Sequence, residues 1–177
     1  NPKEGWAVGG FGSIVHTEDG GYAWEIQKGS VRDNYYGVFF VDKDHGWIVG
    51  DSGKILHTTT GGKSRLGFGG WKPQKSGTSV GLVGVHFVDK HTGWIVGGNG
   101  VAHTNDGGET WQVQARFKET RHLKPIYFVD RNTGWVGGVG PIQHTRDGGK
   151  TWIAQPIPTG SITAIHCLDV KHCWAAE

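Results

Sequence analysis

The sequence has no methionine, only two cysteines and only six prolines among its 177 residues. Its longest apolar runs, such as Tyr36 to Val41, are four to six residues, far short of the roughly 20 needed for a membrane-spanning helix. No stretch of about twelve residues carries the i, i+3, i+4, i+7 spacing of an amphipathic helix. A strong charge of either sign is also missing: 18 basic and 16 acidic side chains leave a formal +2. That balance gives no argument for nucleic acid or an anionic membrane surface. No basic-then-apolar leader precedes Asn1-Pro2-Lys3, so the expectation is a processed chain or a segment of a longer one. What is abundant is glycine, at 32 residues, together with nine tryptophans, seven phenylalanines and four tyrosines. The glycines follow no three-residue period, which excludes collagen. Aromatics at that density want burial, which excludes a solvated low-complexity polymer.

The organising signal is a repeat. Trp6, Trp47, Trp94, Trp135 and Trp174 recur at intervals of 41, 47, 41 and 39 residues. His16, His57, His103 and His144 keep the same phase, at 41, 46 and 41. Within each unit, β-like segments of four to seven residues are bounded by Gly, Asn and Asp. A first strand a (Val38 to Val41, Val85 to Val88, Ile126 to Val129, Ile162 to Leu168) leads to strand b around a Gly-Trp pair. Strand c then ends in His-Thr, and an Asp-Gly-Gly turn starts strand d at the second tryptophan. Four antiparallel strands every 40 to 45 residues fit the blade of a β-propeller, so the fold class is all-β.

The turn between strands c and d has a mechanical reading. Asp19, Asp106 and Asp147 are placed to accept hydrogen bonds from amides two residues on, and the following glycines, Gly21, Gly108 and Gly149 among them, supply positive φ. Thr17, Thr104 and Thr145 close the turn from the other side, while Trp24, Trp111 and Trp152 cover it. Because these residues recur in successive units, they read as scaffold rather than as catalytic acids.

Ser/Thr-x-Asp-x-Gly-x-x-Trp resembles the Asp-box, or bacterial neuraminidase repeat, matched by Thr17 to Trp24, Thr104 to Trp111 and Thr145 to Trp152. The fuller pattern, Phe-Val-Asp-x-x-x-Gly-Trp-x-Val-Gly followed by the box, is most similar to the photosystem II stability and assembly factor family. The resemblance covers essentially the whole chain and implies part of a seven-bladed propeller that helps build a membrane-embedded reaction centre. The second unit departs from it: Thr60 stands for the aspartate and Arg65 for the tryptophan, and an insertion of about six residues precedes Trp71, a displaced cover. The arginine surface by which that family holds its client has no motif-level match.

The units fall at about 1–35, 36–82, 83–125 and 126–161, with a partial one at 162–177, forming a single array. Strand b occurs five times and the other strands four times, so the expected chain is a portion of a longer propeller, with a closed four-bladed ring as the rival. Cys167 and Cys173 align with Phe87 and Gly93 on either side of an a–b turn, where a hairpin disulfide fits. Such a pair points to an oxidising location: periplasm, extracellular space or an organelle lumen such as the thylakoid's. The phased histidines end strand c, away from the innermost strand, so no metal and no cofactor is expected.

Function is expected in the d-to-a connectors, which vary most. They carry Lys28 and Arg32, then Lys72 and Lys75, then Arg116, Lys118, Arg121, His122 and Lys124 against one acid, Glu119. This reads as a docking patch for an acidic protein surface, with Trp71, Tyr35 and Tyr36 as aromatic anchors. A sialidase would need three arginines clamping a carboxylate, and none of Arg32, Arg65, Arg116, Arg121, Arg131 and Arg146 stands in an Arg-Ile-Pro context. The non-repeated acids Glu4, Glu25, Asp33, Asp51 and Glu119 form no evident catalytic pair. The expected function is therefore a non-catalytic, protein-binding assembly factor, at most peripheral to a membrane complex and not binding nucleic acid. The alternative is a secreted glycan-binding or glycoside-hydrolase-type Asp-box propeller.

Overall fold

The computed structural model describes residues 3–27, 33–65, 68–158 and 160–177, the side chains of 65, 68 and 69 excepted. Its sheets follow the repeat. A first blade holds β1 (Gly5–Val8), β2 (Ile14–Thr17) and β3 (Glu25–Gln27). The second holds β4 (Tyr35–Phe40), β5 (His45–Gly50), β6 (Lys54–Arg65) and β7 (Phe68–Lys75). The third holds β8 (Gly84–Phe87), β9 (Gly93–Gly97), β10 (Gly100–Thr104) and β11 (Gln112–Arg116). The fourth holds β12 (Ile126–Phe128), β13 (Gly134–Val136), β14 (Ile142–Thr145) and β15 (Ile153–Gln155), and β16 (Ala164–Cys167) pairs with β17 (Cys173–Ala176) beyond it. All pairs are antiparallel neighbours in sequence, as in part of a β-propeller.

The core lies between blades, which explains why Gly-Trp-Ile-Val-Gly is apolar throughout rather than alternating. Successive side chains of a strand face opposite ways. Trp94 and Val96 of β9 pack toward the fourth blade with Phe128 and Val136, while Ile95 packs toward the second with Trp47 and Val49. Both faces of the strand are therefore interfaces, and each face needs an apolar residue.

One cross-strand pair explains the phase of the histidines. Trp6, Trp47, Trp94 and Trp135 are register partners of His16, His57, His103 and His144 on the neighbouring strand. The indole and imidazole lie 4.5 to 5.0 Å apart, stacked in three units and tilted in the third blade. On its other side each of the first three indoles stacks at 3.6 Å on a phenylalanine of the next blade: Trp6 on Phe40, Trp47 on Phe87 and Trp94 on Phe128. These phenylalanines lie over Gly46, Gly93 and Gly134 so closely that a Cβ at any of the three would enter the ring. Cys167 and Cys173 occupy the corresponding Phe and Gly positions of the last hairpin. Their sulfurs are bonded, with the Cα atoms 4.1 Å apart.

The Asp-box turns differ from the expected wiring. The amide two residues past the aspartate donates to the threonine instead: Gly21, Gly108 and Gly149 N–H reach Thr17, Thr104 and Thr145 Oγ1 at 3.0, 2.9 and 2.8 Å. Each threonine hydroxyl donates to the carboxylate at 2.7 or 2.8 Å, and the carboxylate accepts the amide four residues on, from Ala23, Thr110 or Thr151. Strand d begins one residue after the covering tryptophan. Gly108 and Gly149 take φ of 91° and 92°, a conformation costly for a residue with a Cβ.

The boxes also tie blades together. Trp47 Nε1 donates to Gly107 O at 2.9 Å and Trp94 Nε1 to Gly148 O at 3.0 Å, each in the box of the next blade. Gln74 Nε2 adds a second donor to Gly107 O at 3.0 Å, and Gln27 Nε2 donates to Gly61 O at 2.9 Å. The glutamines follow a Trp-x-x-Gln spacing in every unit: Gln27, Gln74, Gln114 and Gln155. That signal was readable in the sequence and was missed.

Candidate functional site

Two kinds of loop share one face: the d-to-a connectors and the b-to-c turns. Among the predicted cations, Lys28 and Arg32 lie outside the described residues. Lys72 and Lys75 are exposed but belong to β7 rather than to a loop, with Lys75 at its end, and Arg116 is the last residue of β11. Lys118, Arg121, His122 and Lys124 lie on the connector itself and are exposed.

That connector is fastened down at close intervals. Phe117 N–H donates to Asn99 O at 2.8 Å, and Asn99 Nδ2 returns a bond to Phe117 O at 2.9 Å. Leu123 N–H donates to Gly98 O at 2.9 Å. Thr120 Oγ1 donates to Pro141 O at 2.8 Å and accepts from Gln143 Nε2 at 2.9 Å, while Arg121 pairs by backbone with Val139 of the fourth blade. Thr120 and Leu123 are fully buried anchors, and Arg121 and His122 between them are exposed, as are Lys118 and Lys124 on either side. Neither anchor was identified from sequence, because one threonine and one leucine in a loop carry no periodic signal.

The cations stand unpaired. Among the described residues, ion pairs join Lys43 to Asp44, Lys54 to Asp33, Lys63 to Glu18 and Arg131 to Asp89, while hydrogen bonds from His45 to Asp42 and from His172 to Asp169 close a–b turns. None involves Arg116, Lys118, Arg121 or Lys124. The box aspartates are occupied as well: hydrogen bonds from the Thr151 hydroxyl and amide and from Thr145 hold Asp147 at about 2. Burial works the other way at Asp106, yet bonds from Thr110 and Thr104 hold it at about 2 too. Asp51 is held below the usual carboxylate range by the Tyr36 hydroxyl at 2.6 Å and by Asn34. Of the candidate acids, Asp33 and Asp51 are thus committed to structural partners.

Two of the three proposed aromatic anchors are misplaced. Trp71 is only 8% exposed: its ring meets Phe40 edge-on at 5.8 Å and its Nε1 donates to Gln27 Oε1 at 3.0 Å. Tyr35 is 2% exposed in the same cluster. Both are bulky residues near a connector in sequence, but the inter-blade core claims them. Tyr36, one residue along the strand, faces the opposite way and stays exposed. The sequence also gave no warning of Phe11, 86% exposed with φ 56° in the first b–c turn, where only Asn34 Oδ1 holds its amide at 3.2 Å.

The sequence profile of the photosynthesis system II assembly factor YCF48 matches residues 1–59 and 64–169. Comparison with curated protein sequences finds no match. Among solved structures, YCF48 from Cyanidioschyzon merolae superposes with a TM-score of 0.71 at 20% identity, covering 98% of this chain and 60% of that one. A YCF48 bound to D1 peptide superposes at 0.58 and 15% identity, covering 99% and 85%. An ancestral GH74 enzyme gives 0.74 at 14% identity, over 93% of this chain but 25% of the enzyme.

Proposed function

The chain belongs to the photosynthesis system II assembly factor YCF48 family, and from that membership we propose that it is a non-catalytic scaffold in photosystem II assembly, holding an acidic client segment on its loop face. The observation that carries this reading is the anchored third connector, with Arg116, Lys118, Arg121 and Lys124 exposed and unpaired. Lys75, exposed at the end of β7, adds a further cation to the loop face. Cations without internal partners contribute to association mainly through long-range attraction and register. Rigid backbone beneath them lowers the ordering cost of binding. A YCF48 is known bound to D1 peptide, and a D1 peptide is the client we assign to this surface. We further propose one propeller array across the chain and an exported location, the thylakoid lumen, to which the Cys167–Cys173 pair is suited.

The test is D1-peptide binding by the intact protein and by a Lys118→Glu/Arg121→Glu/Lys124→Glu variant at several salt concentrations. Reversing three charges should weaken binding roughly tenfold or more at low salt, and flatten its salt dependence. Unchanged affinity would sink the reading. So would glycan binding or glycosidase activity without peptide binding.

A further inference from the structure

Between the second and third blades lies a small cleft of about 40 Å³, open to solvent. Its floor is aliphatic: Leu82 and Ile95, both buried, with Ala102 beside them. Its walls are Val80 from the connector before β8 and Val113 from β11, which stay 42% and 58% exposed. Arg116 stands at the rim.

A local irregularity builds this arrangement. In a regular strand, residues 113 and 116 face opposite sides. Here Ala102 pairs with Val113 and Val101 with Ala115, so Gln114 is an extra residue in β11. That bulge turns Val113 and Arg116 toward the same cleft. The second blade has no counterpart: Ile55, Leu56 and His57 pair in unbroken step with Gln74, Pro73 and Lys72. β11 is also the outermost strand of its sheet, so one row of its backbone groups lacks a strand partner within the blade.

We propose that this cleft seats an extended peptide segment, taking one aliphatic side chain between Val80 and Val113 and pairing the adjacent carboxylate with Arg116. The inference rests on the client-binding reading above and assigns the client's chemistry: an aliphatic residue next to an acid, in extended conformation along β11. Charge decides against a basic segment: Arg116 lines the cleft, Lys118 lies two residues beyond it, Lys75 precedes the lining residue Ser76, and none of the three is in an ion pair among the described residues. An extended segment fits because an edge strand offers main-chain pairing, with a pocket for alternate side chains.

The test uses ¹⁵N-labelled intact protein and two probes: acetyl-Thr-Leu-Asp-Val-Asp-amide and the same peptide with both aspartates changed to lysine. The acidic probe should shift the amide signals of Val80, Leu82, Val101 and Val113, and the lysine probe should not. Arg116→Glu should weaken the acidic probe about tenfold, a change of ~1.4 kcal/mol. Val113→Asp, at an exposed position, should do so as well while leaving the melting temperature within a few degrees. Absence of shifts in the cleft at millimolar peptide would overturn the proposal. D1-peptide binding separates it from the broader reading. Loss in both Val113→Asp and the triple connector variant supports the cleft. Loss in the triple variant alone removes the cleft and leaves the patch. Loss in neither removes both.

Discussion

The second and third blades carry the same inner stack but close their outer hairpins differently. The third has a complete box: Thr104, Asp106, Gly108 and Trp111, with the carboxylate gripping both the amide and the hydroxyl of Thr110. In the second, Thr60 replaces the aspartate and donates to Lys63 O at 3.0 Å. What survives unchanged is the threonine contact: Gly62 N–H reaches Thr58 Oγ1 at 2.8 Å, as Gly108 reaches Thr104 at 2.9 Å. The covering indole survives too, but arrives from further along the chain. Trp71 meets Phe40 edge-on as Trp111 meets Phe87, at 5.8 and 5.9 Å. The threonine, the second glycine and an indole over them therefore define the turn, while the carboxylate stiffens it. The altered box has a consequence next door. Trp6, which faces it from the first blade, has no partner for Nε1 among the described residues, whereas Trp47 and Trp94 both donate into intact boxes.

The largest expected effect breaks that last contrast. Trp47→Ala removes a fully buried indole, its stack on Phe87 and its bond to Gly107 O, and should cost ~4 kcal/mol or more. Trp6→Ala removes a half-buried indole with no polar bond, for ~2 kcal/mol. Guanidinium unfolding of both variants checks the ranking. Equal losses would mean that the tie into the next box contributes nothing.

How much of this was legible follows from what repeats. Strand order, blade size and the role of the box could be read because each unit restates them. The cross-strand meeting of Trp and His was present as a shared phase, though not as a stack. Contacts made between units were harder to see, since within-unit periodicity does not say which residue meets which in the next blade. Trp71 was therefore assigned to a surface it does not reach, and the Trp-x-x-Gln ties went unnoticed. The irregular devices left no pattern at all. The bulge at Gln114 depends on strand register, and the anchoring of the cationic connector depends on two buried side chains, Thr120 and Leu123.

A smaller effect compares the histidines of the two blades through pH. Burial, helped by His45 and Lys72, pushes His57 down to about 4, and burial with Lys150 nearby lowers His103. His86, enclosed between Phe39 and Tyr127, is also driven to about 4 by burial. A depressed histidine binds fewer protons folded than unfolded, so its contribution is complete above about pH 6.5 and is lost as pH falls toward 4. The loss should approach ~2 kcal/mol for His57, discounted for its partial exposure. Urea unfolding from pH 7.5 to 4.5 should show the decline, and His57→Gln should flatten it more than His103→Gln. The reverse order would show that the second blade's altered hairpin does not enclose its histidine more tightly.

The smallest expected effect bears on the carboxylate alone. Asp106→Ala strips the third box of its bonds to Thr104 and Thr110 but leaves Gly108 on the Thr104 hydroxyl. The loss should be ~1 to 2 kcal/mol, that of removing a charge-assisted turn acceptor. Thr60→Ala removes only one hydroxyl bond to Lys63 O from an exposed tip, and should cost under ~0.5 kcal/mol. Thermal melts of the two variants at pH 7 measure the gap. If Asp106→Ala is as mild as Thr60→Ala, the aspartate adds nothing that threonine and glycine do not already supply. The second blade's substitution would then be neutral drift. If the gap appears, the second blade has given up real hairpin stability, and the burial and hydrogen bond of Trp71 are the compensation that lets it do so.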